Sequence, residues 1–192
     1  MNTRSTNDLE NVITKIGKNS FKFNGVTADK ACLAGAILGD IIGSSHELKG
    51  TRIKTTDFEL FPNTAGFTDD TVMTIAVTKW LLERGDVPTD ADGLVSIMQE
   101  YGVRYMEVGY GHSFKQWLKS ETPEPYNSLG NGSAMRVAAA GLIGSSLKEC
   151  QHVAMLTAVV SHNHPEGIKG AEAVASAIRM AKLHFNKETI KA

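Results

Sequence analysis

Along the chain, apolar positions recur at helical rather than alternating spacing. Ala31, Leu33, Ala34, Ile37, Leu38, Ile41 and Ile42 follow a capping residue at Asp29 or Thr27, and the spacing predicts a helix over 29–43. Gly35, Gly39 and Gly43 fall at steps of four along it, a smooth stripe suited to close packing against another backbone, at a cost of about 1 kcal/mol per glycine relative to alanine. The polar residues 44–66, with Pro62 and Gly66, read as a long loop or flap. "TVMTIAVTKWLL" then sets Met73, Val77, Trp80 and Leu81 on one helix face, stopped by Gly85 and Pro88. A third helix is expected in "DADGLVSIMQEYGVRYMEV", then a loop over 109–130 containing Pro123 and Pro125. Helices follow in "SAMRVAAAGLIG" and "SLKECQHVAMLTAVVSH", with a long final helix from about Pro165. Strand signals are scarce apart from a short helix or strand around "SFKFNGV". The expected fold is therefore all-α, with a loosely held arm (1–28) ahead of one helical domain (29–192).

Composition narrows the function. With 20 basic and 21 acidic side chains and a net charge of -1 over 192 residues, the chain has no electrostatic footprint for nucleic acid or an anionic membrane. The longest apolar stretch, "ACLAGAILGDIIGSS", is interrupted by Asp40 and falls short of the roughly 20 residues that span a bilayer. Cys32 and Cys150 lie far apart without metal-ligand spacing, which fits buried thiols in a reducing compartment, and the polar N-terminus lacks a secretory apolar core. A cytoplasmic protein acting on a small molecule or a protein surface is the expectation.

Four stretches carry candidate chemistry. In "FTDDTVMTIAV", Thr68, Asp69 and Asp70 stand where a loop meets a helix N-terminus; they form either a capping cluster or the oxygen ligands of a hard cation such as Mg²⁺ or Mn²⁺. In "GAILGDIIGSSHE", Asp40 lies inside an apolar helix and must be paired, cap a neighbouring helix or face a cleft, while Glu47 lies just beyond the helix end. "GNGSAMRVAAAG" is either a plain helix start or a turn whose backbone N–H groups suit phosphate or ribose oxygens; it lacks the P-loop pattern. In "SHNHPEGIKGAEAVA", His162 and His164 have no third ligand for zinc nearby, and hydrogen bonding, stacking or substrate contact fits one of them better.

Together, and in this order, these four stretches resemble the ADP-ribosylglycohydrolase family over about residues 31–180. The resemblance implies an all-α fold with a binuclear Mg²⁺ or Mn²⁺ centre in a cleft. It also implies hydrolysis of the bond joining ADP-ribose to a protein side chain or small acceptor. On that reading Thr68, Asp69 and Asp70 are metal ligands, Asp70 also accepts a proton from water, and Glu47 steers substrate or holds a catalytic water. Gly130, Asn131, Gly132 and Ser133, with Met135 and Arg136 behind them, line the ADP-ribose site, and His162 lies near it. The partners implied are an ADP-ribosylated protein or an ADP-ribose-containing small molecule, with no nucleic acid and no membrane.

The family pattern also includes a second ligand group in a glycine-rich "GGDTDT"-like segment. No such stretch occurs in these residues, which end "RMAKLHFNKETIKA". The expectation is a domain incomplete at its C-terminus: a fragment or shortened member, one completed by another chain, or a catalytically inactive ADP-ribose-binding or structural descendant. An exposed apolar face favouring self-association is expected with it.

Overall fold

The computed structural model describes residues 21–23, 26–28, 30–47 and 52–191. Its two strands, β1 (Phe21–Phe23) and β2 (Val26–Ala28), form a small antiparallel hairpin with Lys22 opposite Thr27. Everything else regular is helical: α1 (Lys30–Ser44), α2 (Asp69–Arg84), α3 (Leu94–Arg104), α4 (His112–Lys119), α5 (Gly132–Met135), α6 (Leu147–Val159), α7 (Pro165–Lys182) and α8 (Lys187–Lys191). The fold is all-α apart from that hairpin. No helix among the described residues is long and apolar enough to cross a membrane.

α2 is the central element. Every residue from Thr71 to Thr78 is buried, so apolar contact surrounds the helix instead of lying along one face. Its polar interruptions are satisfied internally: Thr78 Oγ1 donates to the Thr74 carbonyl at 2.7 Å, and Thr71 Oγ1 donates to Asp40. Gly85, at φ 74°, ends the helix in the left-handed conformation, with its N–H on the Leu81 carbonyl. Met73, Val77 and Trp80, each at most 1% exposed, join Leu94 and Met98 of α3 in the core, and full burial of such a side chain is worth roughly 1.5–3 kcal/mol. The Trp80 indole N–H is not stranded there, because it donates to the Asp92 carbonyl at 2.8 Å.

Three expectations are corrected. The segment 109–130 is not all loop: α4 occupies His112–Lys119, buries Phe114, Trp117 and Leu118 at helical spacing, and packs on α3. "SAMRVAAAGLIG" is helical only through Met135; beyond it Val137, Ala140 and Leu142 donate to carbonyls three residues back, in successive turns. The cause is contact with α7: a β-carbon on Gly141 would lie 2.7 Å from Ile178 Cγ2 and 2.8 Å from the Ala175 carbonyl oxygen, a packing demand that outweighs the alanines' helix preference. Finally, the stripe of Gly35, Gly39 and Gly43 meets no other backbone among the described residues, since a β-carbon at each would find open space there.

α6 and α7 form the most extensive helix pair, and α5 packs on α7. These contacts bring the start of α2, the Gly130–Gly132 turn and the segment before α7 around one cavity. Residues 52–68 carry no helix or strand, as expected for the flap; 48–51 of that segment lie outside the described residues.

Candidate active site

The site begins with one buried carboxylate. Asp40, 7% exposed on α1, accepts from the Thr68 N–H at 2.8 Å, the Thr68 hydroxyl at 2.6 Å, the Thr71 N–H at 3.0 Å and the Thr71 hydroxyl. It therefore caps α2 from a different helix, and its charge faces the positive end of the helix dipole. Four donors offset the cost of burying it. Thr68 is the residue N-cap of α2, its Oγ1 accepting from the Asp70 N–H at 3.4 Å.

Around this cap the acids converge. Asp40, Glu47 and Asp70 each offer a carboxylate oxygen, and these atoms lie within 4.8 Å of one another. Burial and then the charge of Asp40 push the Asp70 carboxyl up, with the Thr68 hydroxyl opposing; burial, then Asp70 and Asp40, do the same to Glu47. Three carboxylate oxygens brought this close together suit a hard divalent cation, so the residues present fit Mg²⁺ or Mn²⁺. Asp69 stands beside this group, and its carboxyl is raised to about 6 by burial first and by Asp70 next. Its Oδ1 would lie 3.2 Å from a β-carbon on Gly109, which is itself at φ 113°.

Asp69 also lines a cavity of about 380 Å³, together with Gly130, Asn131, Gly132, Met135, Arg136 and His162. Ser133 is turned away, its hydroxyl donating to the Gly167 carbonyl at 2.8 Å and fastening α5 to α7. Arg136 is fully buried, and burial brings its guanidinium down to about 10. Its Nη2 donates to the Thr157 carbonyl and, at 2.9 Å, to Ser161 Oγ, while Nε and Nη1 have no partner. No carboxylate pairs with it among the described residues, and the face of the Phe114 ring lies 5.9 Å from its guanidinium carbon. His162 is 4% exposed, and burial followed by the Arg136 charge lowers its imidazole to about 4. His164 instead caps α7, accepting from the Glu166 N–H at 3.1 Å, so the two histidines do not converge.

The structure thus gathers Asp70 and Glu47 into one acidic group, sets Thr68 and Asp69 at its edge, and separates Ser133 from the cavity that the other six cavity-side candidates line. Asp40 is the added member; the signal for it was an acid inside an apolar helix, which left pairing, a cap on a neighbouring helix and a cleft all open. Phe114 and Tyr126, also on the cavity wall, gave no sequence signal beyond their aromatic character.

A model of the family described as ADP-ribosylglycohydrolase matches residues 28–192. The chain is 32% identical over 180 residues to "ADP-ribosylhydrolase ARH3" of Mus musculus, covering 79% of this chain and 48% of the mouse protein. The Homo sapiens protein of the same name is also 32% identical over 180 residues, with 79% and 49% covered, and that of Gallus gallus is 28% identical over 184 residues. The chain spans about half the length of these curated relatives. Because the family match runs through all four motif stretches and nearly the whole chain, this protein belongs to the ADP-ribosylglycohydrolase family.

Proposed function

We propose that this chain contributes the ligand cavity and an acidic metal-binding group of a hydrolase that removes ADP-ribose from an ADP-ribosylated protein side chain or small acceptor. The observation that carries the reading is the position of Asp69, shared between the cavity wall and the edge of the Asp40, Glu47 and Asp70 group. A ligand filling the cavity therefore ends beside the acids. The buried Arg136, with no carboxylate partner among the described residues, gives the cavity wall a positive field suited to the diphosphate of ADP-ribose.

Asp40, Glu47 and Asp70 would hold a Mg²⁺ or Mn²⁺ ion, which when bound supplies Lewis-acid polarisation of oxygen ligands and neutralises crowded carboxylates. The protein's own residues carry the rest. Glu47, the most exposed of the three, faces solvent and is placed to receive the proton of a water attacking ribose C1. As the new C1–O bond forms, the bond from C1 to the acceptor breaks, and the acceptor leaves with a proton from solvent, to which Glu47 gives back the water's proton. Asp70 and Asp69 balance the oxocarbenium character that develops at C1. The Gly130–Gly132 turn lets the His162 ring lie against the backbone, because a β-carbon on Gly132 would come 2.7 Å from His162 Nε2.

The test is release of free ADP-ribose from arginine-linked and serine-linked ADP-ribosyl peptides in Mg²⁺, with a Glu47→Gln variant alongside. Release by the unaltered chain that drops about 100-fold in the variant supports the reading. ADP-ribose binding without release from either peptide contradicts the hydrolase reading and supports a binding descendant of the family.

A further inference from the structure

A chain of buried hydrogen bonds runs from Arg136 to the cavity. Arg136 Nη2 donates to Ser161 Oγ at 2.9 Å, and Ser161 Oγ lies 2.9 Å from His162 Nδ1. Both Arg136 and Ser161 are 0% exposed. From these contacts we infer that Arg136 and Ser161 are positioning residues that hold His162 in its Nε2–H form, presenting one fixed N–H donor to an acceptor oxygen of the cavity's ligand.

The argument is one of proton direction. A guanidinium only donates, so Ser161 Oγ must accept from Arg136. The hydroxyl proton then needs an acceptor, and the one that these bonds offer is His162 Nδ1. In the reverse arrangement Nδ1–H would also donate to Ser161 Oγ, leaving the serine proton stranded in a sealed interior at a cost of about 1–3 kcal/mol. An imidazolium would do the same and add a second cation next to Arg136. With Nδ1 accepting, the ring proton belongs to Nε2.

Packing aims that proton. The ring is flanked by Tyr126 and Phe114, with centroids 5.6 Å and 6.4 Å away. Nε2 points to the glycine turn: a β-carbon on Gly132 would come within 2.7 Å of it, and one on Gly130 within 3.8 Å. Nε2 makes no hydrogen bond with another described residue, although Nδ1 does. The main-chain N–H of His162 is fixed to the Ala158 carbonyl at 2.8 Å, and the Ser161 carbonyl accepts from the Tyr126 N–H at 3.1 Å, so the backbone carrying Ser161 and His162 is held in place. The oxygens of ADP-ribose are the acceptors expected here, and to that extent the inference rests on the proposed function; the tautomer does not.

Two-bond ¹H–¹⁵N spectra of the uniformly ¹⁵N-labelled chain at pH 7 and pH 6, with the His162 signals assigned by their absence in His162→Gln, read the tautomer directly. The expected result is an unprotonated Nδ1 and a protonated Nε2 at both pH values. In Ser161→Ala the two tautomers should mix, and the Kd for added ADP-ribose should rise about tenfold. An Nδ1–H ring or an imidazolium at pH 6 in the unaltered chain overturns the relay even if Ser161→Ala does not fold. A fixed Nε2–H ring that no ADP-ribose perturbs supports the relay and counts against the proposed function.

Discussion

Asp40 caps α2 and stands among the acids that could hold a metal ion, and its substitution should show the structural role first. Asp40→Ala removes the acceptor of two main-chain N–H groups and two hydroxyls at the start of α2, so it should cost about 2–4 kcal/mol in urea unfolding. A cost like that of an ordinary surface change would mean the cap is not holding α2. Residue-level logic also sets a pH dependence through His162, whose native imidazole lies at about 4 against its ordinary 6.5. The unfolded chain then binds more protons throughout that window. Stability is complete above about 6.5, falls as pH drops toward 4, and changes no further from this group below it. His162→Gln should flatten that part of the stability profile, and an unchanged slope would show that the ring is not held neutral. These roles were only half legible in the sequence. An acid among Leu38, Gly39, Ile41 and Ile42 announces that it must be satisfied, and a cap on a neighbouring helix is one way, but not that the helix is the one starting at Asp69. "SH" at 161–162 says nothing of Arg136 until the chain has folded.

At the scale of elements, one substitution should have opposite signs at two glycines. Gly35→Ala, exposed in the middle of α1 with open space around the new methyl, should stabilise by about 0.5–1 kcal/mol. Gly141→Ala forces a methyl against Ile178 and the Ala175 carbonyl of α7, and should destabilise by about 1–3 kcal/mol. Thermal melts of the two variants decide this; a stabilised Gly141→Ala would show that the segment after α5 does not press on α7 as described. The same pair explains where sequence reading succeeded and failed. α1, α2 and α7 were legible because each has a long apolar repeat with a local stop or start, such as Gly85 or Pro165. α4 was hidden by its short length between glycine-rich and proline-rich turns, although Phe114, Trp117 and Leu118 carried the right spacing. The opposite error arose at 136–143, where alanines suggested a helix that tertiary contact breaks into turns.

In the whole molecule, the core around α2 serves to set two unlike surfaces side by side: a carboxylate group that repels itself and a cavity backed by a buried cation. Neither is explained by packing alone, since both cost stability in the absence of a ligand. Cation binding to the acids should therefore stabilise the fold by mass action, raising the Tm as Mn²⁺ is added. The four motif stretches are spread between Gly35 and Ala175, and only their order, through the family resemblance, suggested that they share one site; the geometry brings Asp40, Glu47 and Asp70 together without Asp69. The measurement that bears most directly on this account is titration of the chain with Mn²⁺, following the free ion by electron spin resonance, with Asp70→Asn and Glu47→Gln beside it. The account predicts a site in the unaltered chain whose affinity falls by about tenfold or more in each variant. No uptake of Mn²⁺, or uptake that both variants leave unchanged, would contradict it.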